Sequence, residues 1–325
     1  MSSVNVPTLK LSTTGDAMPI VGTGLWKVPE NACAESVYQA IKAGYRMFDS
    51  SSDYANEHES GKGLKRAIDE GLVKREDVFI VTKLWNTFKK AENVEPECRR
   101  QLANWQTDYF DLYLIHFPIA LQYVDPATRY PPEWFADGKS GIVTERSPLH
   151  LTWPAMESLV DKKLVRNLGV CSFPGALLMD LMTYARIPPS VHQVEMHPYN
   201  VQEDQLQLCK AFDIKMMAFC SFGPASWVEL DVPTVKQVDP LFTHPIITKL
   251  ASKHSRTPGQ ILLRWATQRG FIVIPKSVKP ERMAENLNST DFDLEKEDIE
   301  EISGLDRRFR FGDPKAFDPK LSIFA

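Results

Sequence analysis

The sequence predicts an α/β fold, a (β/α)8 barrel of the TIM-barrel type, with residues 1–325 forming a single domain. Eight short apolar runs occur at fairly regular intervals, and segments with the apolar spacing of helices lie between them. The runs are apolar nearly throughout, which is typical of parallel strands buried on both faces. An open doubly wound sheet is the alternative to the closed barrel.

The predicted strands are preceded by a hairpin and separated by helices. Residues 6–20, VPTLKLSTTGDAMPI, have the pattern of a β-hairpin with a Gly-Asp turn. Helical spacing is clear over residues 31–44, which end at Gly44, over residues 148–164, and over residues 257–270, where Thr257 caps a helix that begins with proline. The eight predicted strands cover residues 20–24, 45–50, 77–84, 109–117, 164–172, 190–196, 214–222 and 270–277.

Two insertions and a tail interrupt the alternation of strands and helices. The insertions run from about residue 118 to 147 and from about residue 223 to 245, after the fourth and seventh predicted strands. In a barrel they overhang the C-terminal face, where active sites are built. Their Pro, Trp and Tyr content indicates ordered lids. We expect the last twenty residues, 306–325, to form a non-helical tail that reaches back over the same face.

The composition is that of an ordinary globular protein, with 43% apolar, 10% aromatic and 25% charged residues. A net charge of -4 and a pI near 6.0 give no reason to expect nucleic acid or an acidic membrane surface as a partner. The five cysteines lack zinc-site spacing, so we expect no metal and reduced thiols. No basic leader or run of roughly 18 apolar residues is present, so we expect a cytoplasmic protein.

Polar residues occur at the ends of three neighbouring predicted strands. Asp49 ends the second strand, Lys83 lies in the third, and His116 lies in the fourth, with Tyr54 in the loop after the second strand. Each residue alone has an ordinary structural explanation, such as a helix cap, an edge lysine or a core histidine. In a barrel, however, all of them reach the same rim. The sequence therefore predicts an active site there.

These four residue types suit the delivery of a proton to an oxygen atom. A free tyrosine has a pKa of about 10, and a nearby ammonium group favours the phenolate. Lys83 could lower the pKa of Tyr54 in this way, and Asp49 supplies the counter-charge that a buried lysine needs. His116 can donate a hydrogen bond to a carbonyl oxygen. Because no metal site or activated serine is evident, we expect a cofactor hydride as the attacking group.

Several segments resemble the aldo-keto reductases. FDSSSDYANE is similar to the signature in which an aspartate precedes the catalytic tyrosine by five residues, and VTKLW and LIHFP are similar to the lysine and histidine blocks of the family. The resemblance covers nearly the whole chain and is strongest to the fungal D-xylose reductase branch, through segments such as VKREDVFIVTKLWNTF, YVDPATRYPPEWF and SFGPASWVEL. It implies Tyr54 as general acid, Lys83 and Asp49 as the residues that tune it, and His116 as the residue that orients the carbonyl.

The resemblance also implies NADPH as the cofactor, with use of NADH as well. IPKSVKPERMAEN is similar to the block that binds the adenosine phosphate, so Lys276, Ser277 and Arg282 would contact the 2'-phosphate. Arg282 would also stack on the adenine. Glu229 matches a glutamate that binds the ribose of NADH in some xylose reductases. The other implied cofactor residues are Cys171, Ser172 and Gln193 at the nicotinamide amide, Phe219 on its ring, Ser221, Val278 near the ribose, and Glu285 and Asn286 at the adenine edge.

The chain departs from the family pattern at four places. Cys171-Ser172 stands where Ser-Asn is usual, Phe219 stands for a tyrosine, and Val278 stands for an asparagine, which leaves cofactor affinity and preference open. Gly312 stands where an asparagine contacts a sugar hydroxyl in the related enzymes. L-arabinose is therefore a serious rival to D-xylose, since losing one hydroxyl partner changes which stereoisomer fits.

The predicted substrate is a small sugar aldehyde. The residues expected to line its pocket, together with Gly312, are Trp26, Asp53, His116, Phe117 and Trp227. Other aldehydes, such as glyceraldehyde, a uronate or a xenobiotic, remain alternatives. So does a barrel that senses NADPH without catalysis and regulates a partner. The resemblance also implies a homodimer, as in related xylose reductases.

Overall fold

A computed structural model describes residues 6–325 as a closed barrel of eight parallel strands. Residues 1–5 of the predicted domain lie outside the described residues, and so does the start of the chain, where we expect no basic leader. A hairpin of β1 (Thr8–Lys10) and β2 (Ala17–Pro19) precedes the barrel. The barrel strands are β3 (Thr23–Gly24), β4 (Met47–Asp49), β5 (Phe79–Leu84), β6 (Phe110–Ile115), β7 (Val165–Cys171), β8 (Val191–Glu195), β9 (Lys215–Phe219) and β10 (Phe271–Val273).

The barrel closes because its last strand pairs with the segment before its first. Val21 forms a parallel bridge with Val273. The amide of Val273 donates to the Ile20 carbonyl at 2.9 Å, and the amide of Gly22 donates to the Val273 carbonyl at 2.9 Å. The remaining strands pair in chain order, each parallel to the next. The predicted barrel is confirmed, and the open doubly wound sheet is wrong.

Helices alternate with the strands as predicted. The predicted helix over residues 31–44 is α1, and Gly44 ends it with a φ of 109°. Thr257 caps α8, its hydroxyl accepting a hydrogen bond from the Gln260 amide. The helices are α1 (Glu30–Ala43), α2 (Glu57–Asp69), α3 (Ala91–Trp105), α4 (Leu149–Asp161), α5 (Gly175–Tyr184), α6 (Glu203–Ala211), α7 (Pro245–His254), α8 (Pro258–Gln268), α9 (Pro280–Leu287) and α10 (Lys296–Ser303).

The hairpin closes the N-terminal end of the barrel. Leu9 lies opposite Met18 in its antiparallel register, and Gly15 adopts a φ of 75° in the turn. Leu11 and Met18 are buried against the inward side chains at the bottom of the barrel, among them Phe79. The apolar interior is therefore sealed from water at this end, which leaves the opposite face for polar chemistry.

Both insertions and the tail cover the C-terminal face, as predicted. The first insertion is anchored by a bridge between Leu121 and Thr144. The second contains four short 3-10 helices, Gly223–Ser226, Val228–Leu230, Pro233–Gln237 and Leu241–Thr243. In the tail, the amides of Phe311 and Gly312 donate to the carboxylate of Glu195 at 2.9 and 2.8 Å. Because Glu195 ends β8, these bonds hold the tail at the rim where the strands end.

Within residues 6–325, no helix has the length and apolar character that crossing a bilayer requires. The cytoplasmic location and the homodimer stay predictions.

The packing of the β1–β2 hairpin against the barrel interior gives a test of the fold. Replacing Met18 by alanine should lower the free energy of unfolding by about 2–4 kcal/mol, because it removes a fully buried side chain from a close-packed layer. Urea denaturation followed by circular dichroism measures the change. As a matched control, Leu72→Ala removes a side chain that is 40% exposed and should change stability by less than about 0.5 kcal/mol. Equal losses for the two variants would contradict the role of the hairpin.

Candidate active site

The ammonium group of Lys83 lies at the centre of the site. Lys83 is fully buried in β5, next to the strand that ends at Asp49. Its Nζ donates to Asp49 Oδ1 at 2.7 Å, to the Ser50 carbonyl at 2.7 Å and to the Tyr54 hydroxyl oxygen at 3.0 Å. An ammonium group has three hydrogens, so these acceptors use all of them. The structure thus brings together Asp49, Lys83 and Tyr54.

Tyr54 keeps its own hydroxyl hydrogen for a ligand. Its oxygen accepts from Lys83, and among residues 6–325 no group accepts the Tyr54 hydrogen. The structure reverses the direction expected for its pKa. Burial raises the pKa of Tyr54 well above its ordinary value, and the negative charge of Asp49 adds to this. Tyr54 is therefore protonated at neutral pH, and its oxygen is held by the hydrogen bond from the Lys83 ammonium group.

His116 is held as a neutral ring beside this group. Its Nδ1 lies 3.0 Å from the Ser51 hydroxyl oxygen. The Phe117 ring stacks on it at 4.9 Å, and the Trp85 ring packs edge-on at 5.0 Å. Burial lowers the pKa of His116 well below its ordinary value, and the positive charge of Lys83 acts in the same direction. The neutral ring can therefore donate one hydrogen bond and accept another without carrying charge.

Gln193 and Cys171 lie directly below the site. The Gln193 side-chain amide donates to Asp49 Oδ2 at 2.7 Å, so the second oxygen of that carboxylate is also satisfied. The Cys171 thiol lies 3.8 Å from the side-chain oxygen Oε1 of Gln193. Burial raises the pKa of Cys171 to about 11, so the thiol stays protonated at neutral pH. We call Asp49, Lys83, Tyr54 and His116 the tetrad. Gln193 therefore contacts the tetrad through Asp49, and it is also the residue expected at the nicotinamide amide.

Two buried carboxyl groups support the loop after β4 from behind. The Glu57 oxygen Oε1 accepts hydrogen bonds from the side chains of Ser50, Thr82, Gln101 and Trp105. Glu97 on α3 accepts a hydrogen bond from the Tyr130 hydroxyl of the first insertion at 3.0 Å. Burial raises the pKa of Glu57 to about 7 and, with the charge of Glu57 adding, that of Glu97 to about 8.

Several aromatic residues predicted to line the substrate pocket contact one another or His116. The Trp26 and Trp227 rings meet edge to face at 5.0 Å, and Phe117 covers His116 on another side. Asp53 is partly buried, and burial together with the charge of Glu133 raises the pKa of Asp53 to about 7. The structure thus places Trp26 against Trp227 and Phe117 against His116. That these residues and Asp53 line one substrate pocket stays a prediction.

Sequence reasoning missed three further aromatic residues of this wall. Trp134 of the first insertion packs edge-on against Trp85 at 5.1 Å and stacks on Phe317 of the tail at 4.8 Å. The Trp85 indole donates to the Glu133 carbonyl at 3.0 Å, which ties the insertion to β5. Trp134 in the first insertion was the signal in the sequence for such a wall. The neighbouring residues in the sequence, however, did not show which side chains Trp134 would contact.

Gly312 leaves no room for a side chain. A Cβ atom at this position would lie 2.9 Å from the six-membered ring of Trp227 and 3.1 Å from Glu195 Oε2. The Gly312 amide donates to that same Glu195 oxygen. The Trp227 ring therefore occupies the space next to the tail where a side chain at position 312 would begin.

The implied phosphate-binding residues lie after β10. Lys276 contacts Glu229 of the second insertion, Nζ to Oε1, at 3.2 Å. Lys27, which sequence reasoning missed, contacts the same oxygen at 3.3 Å. Glu229 thus pairs with two lysines from different loops, Lys27 after β3 and Lys276 after β10. Partial desolvation raises the pKa of Glu229, but the charge of Lys27 and the hydrogen bond from Lys276 outweigh it and hold this pKa below its ordinary value. The second insertion thereby spans the gap between the ends of β3 and β10.

The start of α9 has the chemistry of an anion site. The Ser277 hydroxyl accepts from the Lys279 amide at 3.1 Å, which turns the chain into α9, and Arg282 lies exposed in the first turn. No side chain caps the first amides of this helix. Free amides and cationic side chains fit a phosphate group. Val278 beside them is 44% exposed and offers no hydrogen bond.

The remaining predicted cofactor residues lie along the same rim. Glu285 accepts a hydrogen bond from the Thr257 hydroxyl, which fixes α9 against α8. Asn286 is buried in α9. The other three follow strands: Ser172 after β7, with a φ of 60°, Phe219 at the end of β9, and Ser221 two residues later.

The fold and the site together define an aldo-keto reductase. Residues 18–307 match the sequence profile of the Aldo/keto reductase family, so the chain belongs to that family. The family predicted from the sequence is therefore confirmed.

Curated relatives match nearly end to end. The chain is 52% identical over 318 residues to a probable NAD(P)H-dependent D-xylose reductase of Aspergillus terreus, covering 98% of this chain and 99% of that protein. It is 55% identical over 309 residues to an NAD(P)H-dependent D-xylose reductase of Hypocrea jecorina, covering 95% of each.

Solved structures show the same fold. A Bombyx mori aldo-keto reductase in complex with NADP superposes with a TM-score of 0.84 at 32% identity and covers 96% of each chain. The aldose reductase of Schistosoma japonicum gives a TM-score of 0.86 at 31% identity, with 97% of each chain covered.

The buried carboxyl group of Glu97 predicts a pH dependence of stability. The pKa of Glu97 is about 8 in the folded protein, whereas an ordinary glutamate carboxyl has a pKa of 4.5, so stability falls as pH rises through this interval. Glu97→Gln stays neutral at every pH. At pH 9 its free energy of unfolding, measured with urea, should exceed that of the wild type by roughly 1–3 kcal/mol. At pH 5 the two proteins should have similar stability.

The matched control is Glu297→Gln, which changes an exposed glutamate in the first turn of α10. Its stability difference from the wild type should be the same at pH 5 and pH 9. A Glu97→Gln difference that does not grow with pH would contradict the raised pKa.

Proposed function

We propose that the protein is an NAD(P)H-dependent aldose reductase that converts an open-chain pentose to its alditol. The observation that carries this is the Tyr54 hydroxyl, whose oxygen is fixed by Lys83 while its hydrogen is free for a ligand. Relatives more than half identical to this chain are named D-xylose reductases, which supports a pentose as the substrate. The alternative of a barrel that only senses the nucleotide requires no such proton donor.

The chain's residues deliver a proton and stabilise charge. A nicotinamide cofactor, when bound, would supply the hydride for reduction of the carbonyl group. Tyr54 donates its hydrogen to the carbonyl oxygen, and the Lys83 ammonium stabilises the phenolate that remains. Asp49 offers the buried ammonium group of Lys83 a counter-charge at 2.7 Å. His116, neutral and held beside Tyr54, presents its second ring nitrogen to the same oxygen.

We infer that NADPH is preferred and that NADH is also used. The cationic groups of Lys276 and Arg282 and the uncapped start of α9 suit the 2'-phosphate that only NADPH carries. Glu229 could accept from the ribose hydroxyls of NADH, at the expense of its contacts with Lys27 and Lys276. Gln193, with Ser172 and Cys171, would bind the nicotinamide amide, and Phe219 would stack on the ring.

The sugar would lie between the tetrad and the aromatic walls. Asp53 offers an oxygen to the sugar hydroxyls, while Trp26, Phe117 and Trp227 exclude water. Because the Trp227 ring fills the space beside Gly312, the hydroxyl contact that an asparagine makes in related enzymes is replaced by an apolar surface. This exchange keeps both D-xylose and L-arabinose as candidate substrates.

The substrate is tested by initial rates with D-xylose and L-arabinose, each with NADPH and with NADH. We expect turnover of both pentoses and a higher kcat/KM with NADPH. Gly312→Asn should lower kcat/KM for pentoses about tenfold, because the new side chain displaces Trp227. The double variant Gly312→Asn, Trp227→Phe removes the ring atoms in conflict and should recover most of the rate.

The double variant also tests selectivity. If its ratio of D-xylose to L-arabinose turnover equals that of the wild type, then position 312 does not select the sugar. Absence of any rate with pentoses, glyceraldehyde or uronates, combined with tight NADPH binding, would contradict the enzymatic proposal and favour a sensor.

The assignment of the acid is tested by Tyr54→Phe. Turnover should fall about 100- to 10,000-fold, because the proton donor is lost, whereas NADPH affinity, measured by quenching of tryptophan fluorescence, should stay within about twofold of the wild type. Tyr109→Phe is the control, since Tyr109 lies at the opposite end of β6 against Arg75. Retention of activity in Tyr54→Phe would show that another group supplies the proton.

A further inference from the structure

Ser51 makes a buried contact with the catalytic histidine that the sequence did not single out. It is the middle residue of the three serines that follow Asp49, and it is fully buried. Its hydroxyl oxygen lies 3.0 Å from His116 Nδ1, across 65 residues of chain. Ser51 also begins the 3-10 helix Ser52–Tyr54, where its oxygen accepts from the Asp53 amide at 3.4 Å.

The count of hydrogens decides which atom donates. Within residues 6–325, the Ser51 hydroxyl hydrogen has no acceptor other than His116 Nδ1. If Nδ1 carried the hydrogen of the neutral ring, Ser51 would be left with an unsatisfied buried hydroxyl donor, which is costly. If instead Ser51 donates to Nδ1, the Ser51 hydroxyl and Nδ1 are both satisfied, and only the Nε2 edge of the ring is left for a ligand. The ring hydrogen of His116 must then be on Nε2.

The other edge of the ring faces the place where the substrate carbonyl is expected. The rings of Trp85 and Phe117 fix the plane of His116, and the Tyr54 ring lies edge-on to it with centroids 6.0 Å apart. His116 Nε2 makes no hydrogen bond with any described residue. A hydrogen on Nε2 is therefore available to the oxygen that also receives the Tyr54 proton.

We propose that Ser51 is a positioning residue that fixes His116 as the Nε2–H tautomer, so that the histidine donates to the carbonyl oxygen of the substrate. This inference rests on the proposed aldose reduction for its kinetic consequence, although the tautomer exists in the free protein.

The test compares variants of Ser51 in the full-length protein. Ser51→Ala removes the hydroxyl and should lower kcat/KM for D-xylose about five- to tenfold, the size expected for loss of one hydrogen bond, with NADPH affinity unchanged. Ser51→Thr keeps a hydroxyl and should restore most of the rate. Ser52→Ala is the matched control, because the adjacent buried hydroxyl of Ser52 lies near Glu97 and Tyr130 and makes no hydrogen bond with His116.

A spectroscopic readout separates this role from a merely structural one. With 15N-labelled histidine, long-range 1H–15N spectra report which ring nitrogen carries hydrogen, and the His116 signals are assigned by their loss in His116→Asn. The wild type, without substrate, should show the Nε2–H form. Ser51→Ala should show a mixture that includes Nδ1–H, and Ser51→Thr should show the wild-type form.

The outcomes are distinct. An Nδ1–H form in the wild type would overturn the inference. So would a loss of rate in Ser51→Ala without any change of tautomer, since that would indicate a packing defect. If the wild type reduces no aldose, the proposed function fails, while the tautomer measured in the free protein still decides the role of Ser51.

Discussion

The buried ammonium group of Lys83 is the interaction on which the site depends. Removing a lysine from water costs several kcal/mol unless its charge and hydrogens are satisfied, and here three acceptors at 2.7, 2.7 and 3.0 Å satisfy them. The acceptors come from the end of β4 and the loop after it, so the parallel register of β4 and β5 is part of the catalytic geometry. These bonds do not use the Tyr54 hydrogen, and within residues 6–325 nothing else accepts it, as the proposed proton donation requires.

The loop after β4 forms hydrogen bonds with several neighbouring elements. The Ser50 carbonyl accepts from Lys83, while its hydroxyl contacts Glu57, 3.3 Å from Oε1. The Ser51 hydroxyl lies against His116. Glu57 in turn joins this loop to β5 and α3, so the strand ends are tied together from the side opposite the pocket. The tetrad is thus held by a network of buried polar groups, where each acceptor restricts its donor to one position.

The pocket above the tetrad is assembled from distant parts of the chain. Trp134 of the first insertion meets Phe317 of the tail, and Trp227 of the second insertion meets Gly312 of the tail. Glu195 at the end of β8 fixes the tail through two backbone amides. The strands and the loop after β4 carry the polar residues of the tetrad. The two insertions and the tail form the surface against which a sugar would be selected.

The sequence by itself determined the barrel, the hairpin, the two lids and the rim position of Asp49, Lys83 and His116. Apolar runs and strand ends are local properties of the chain, and the closed parallel fold carries them to one face. Only the tertiary structure decided the direction of the Tyr54 pKa, the contact of Ser51 with His116 and the lack of room beside Gly312. Burial, charge and free volume depend on residues far apart in sequence, so no local pattern could contain them.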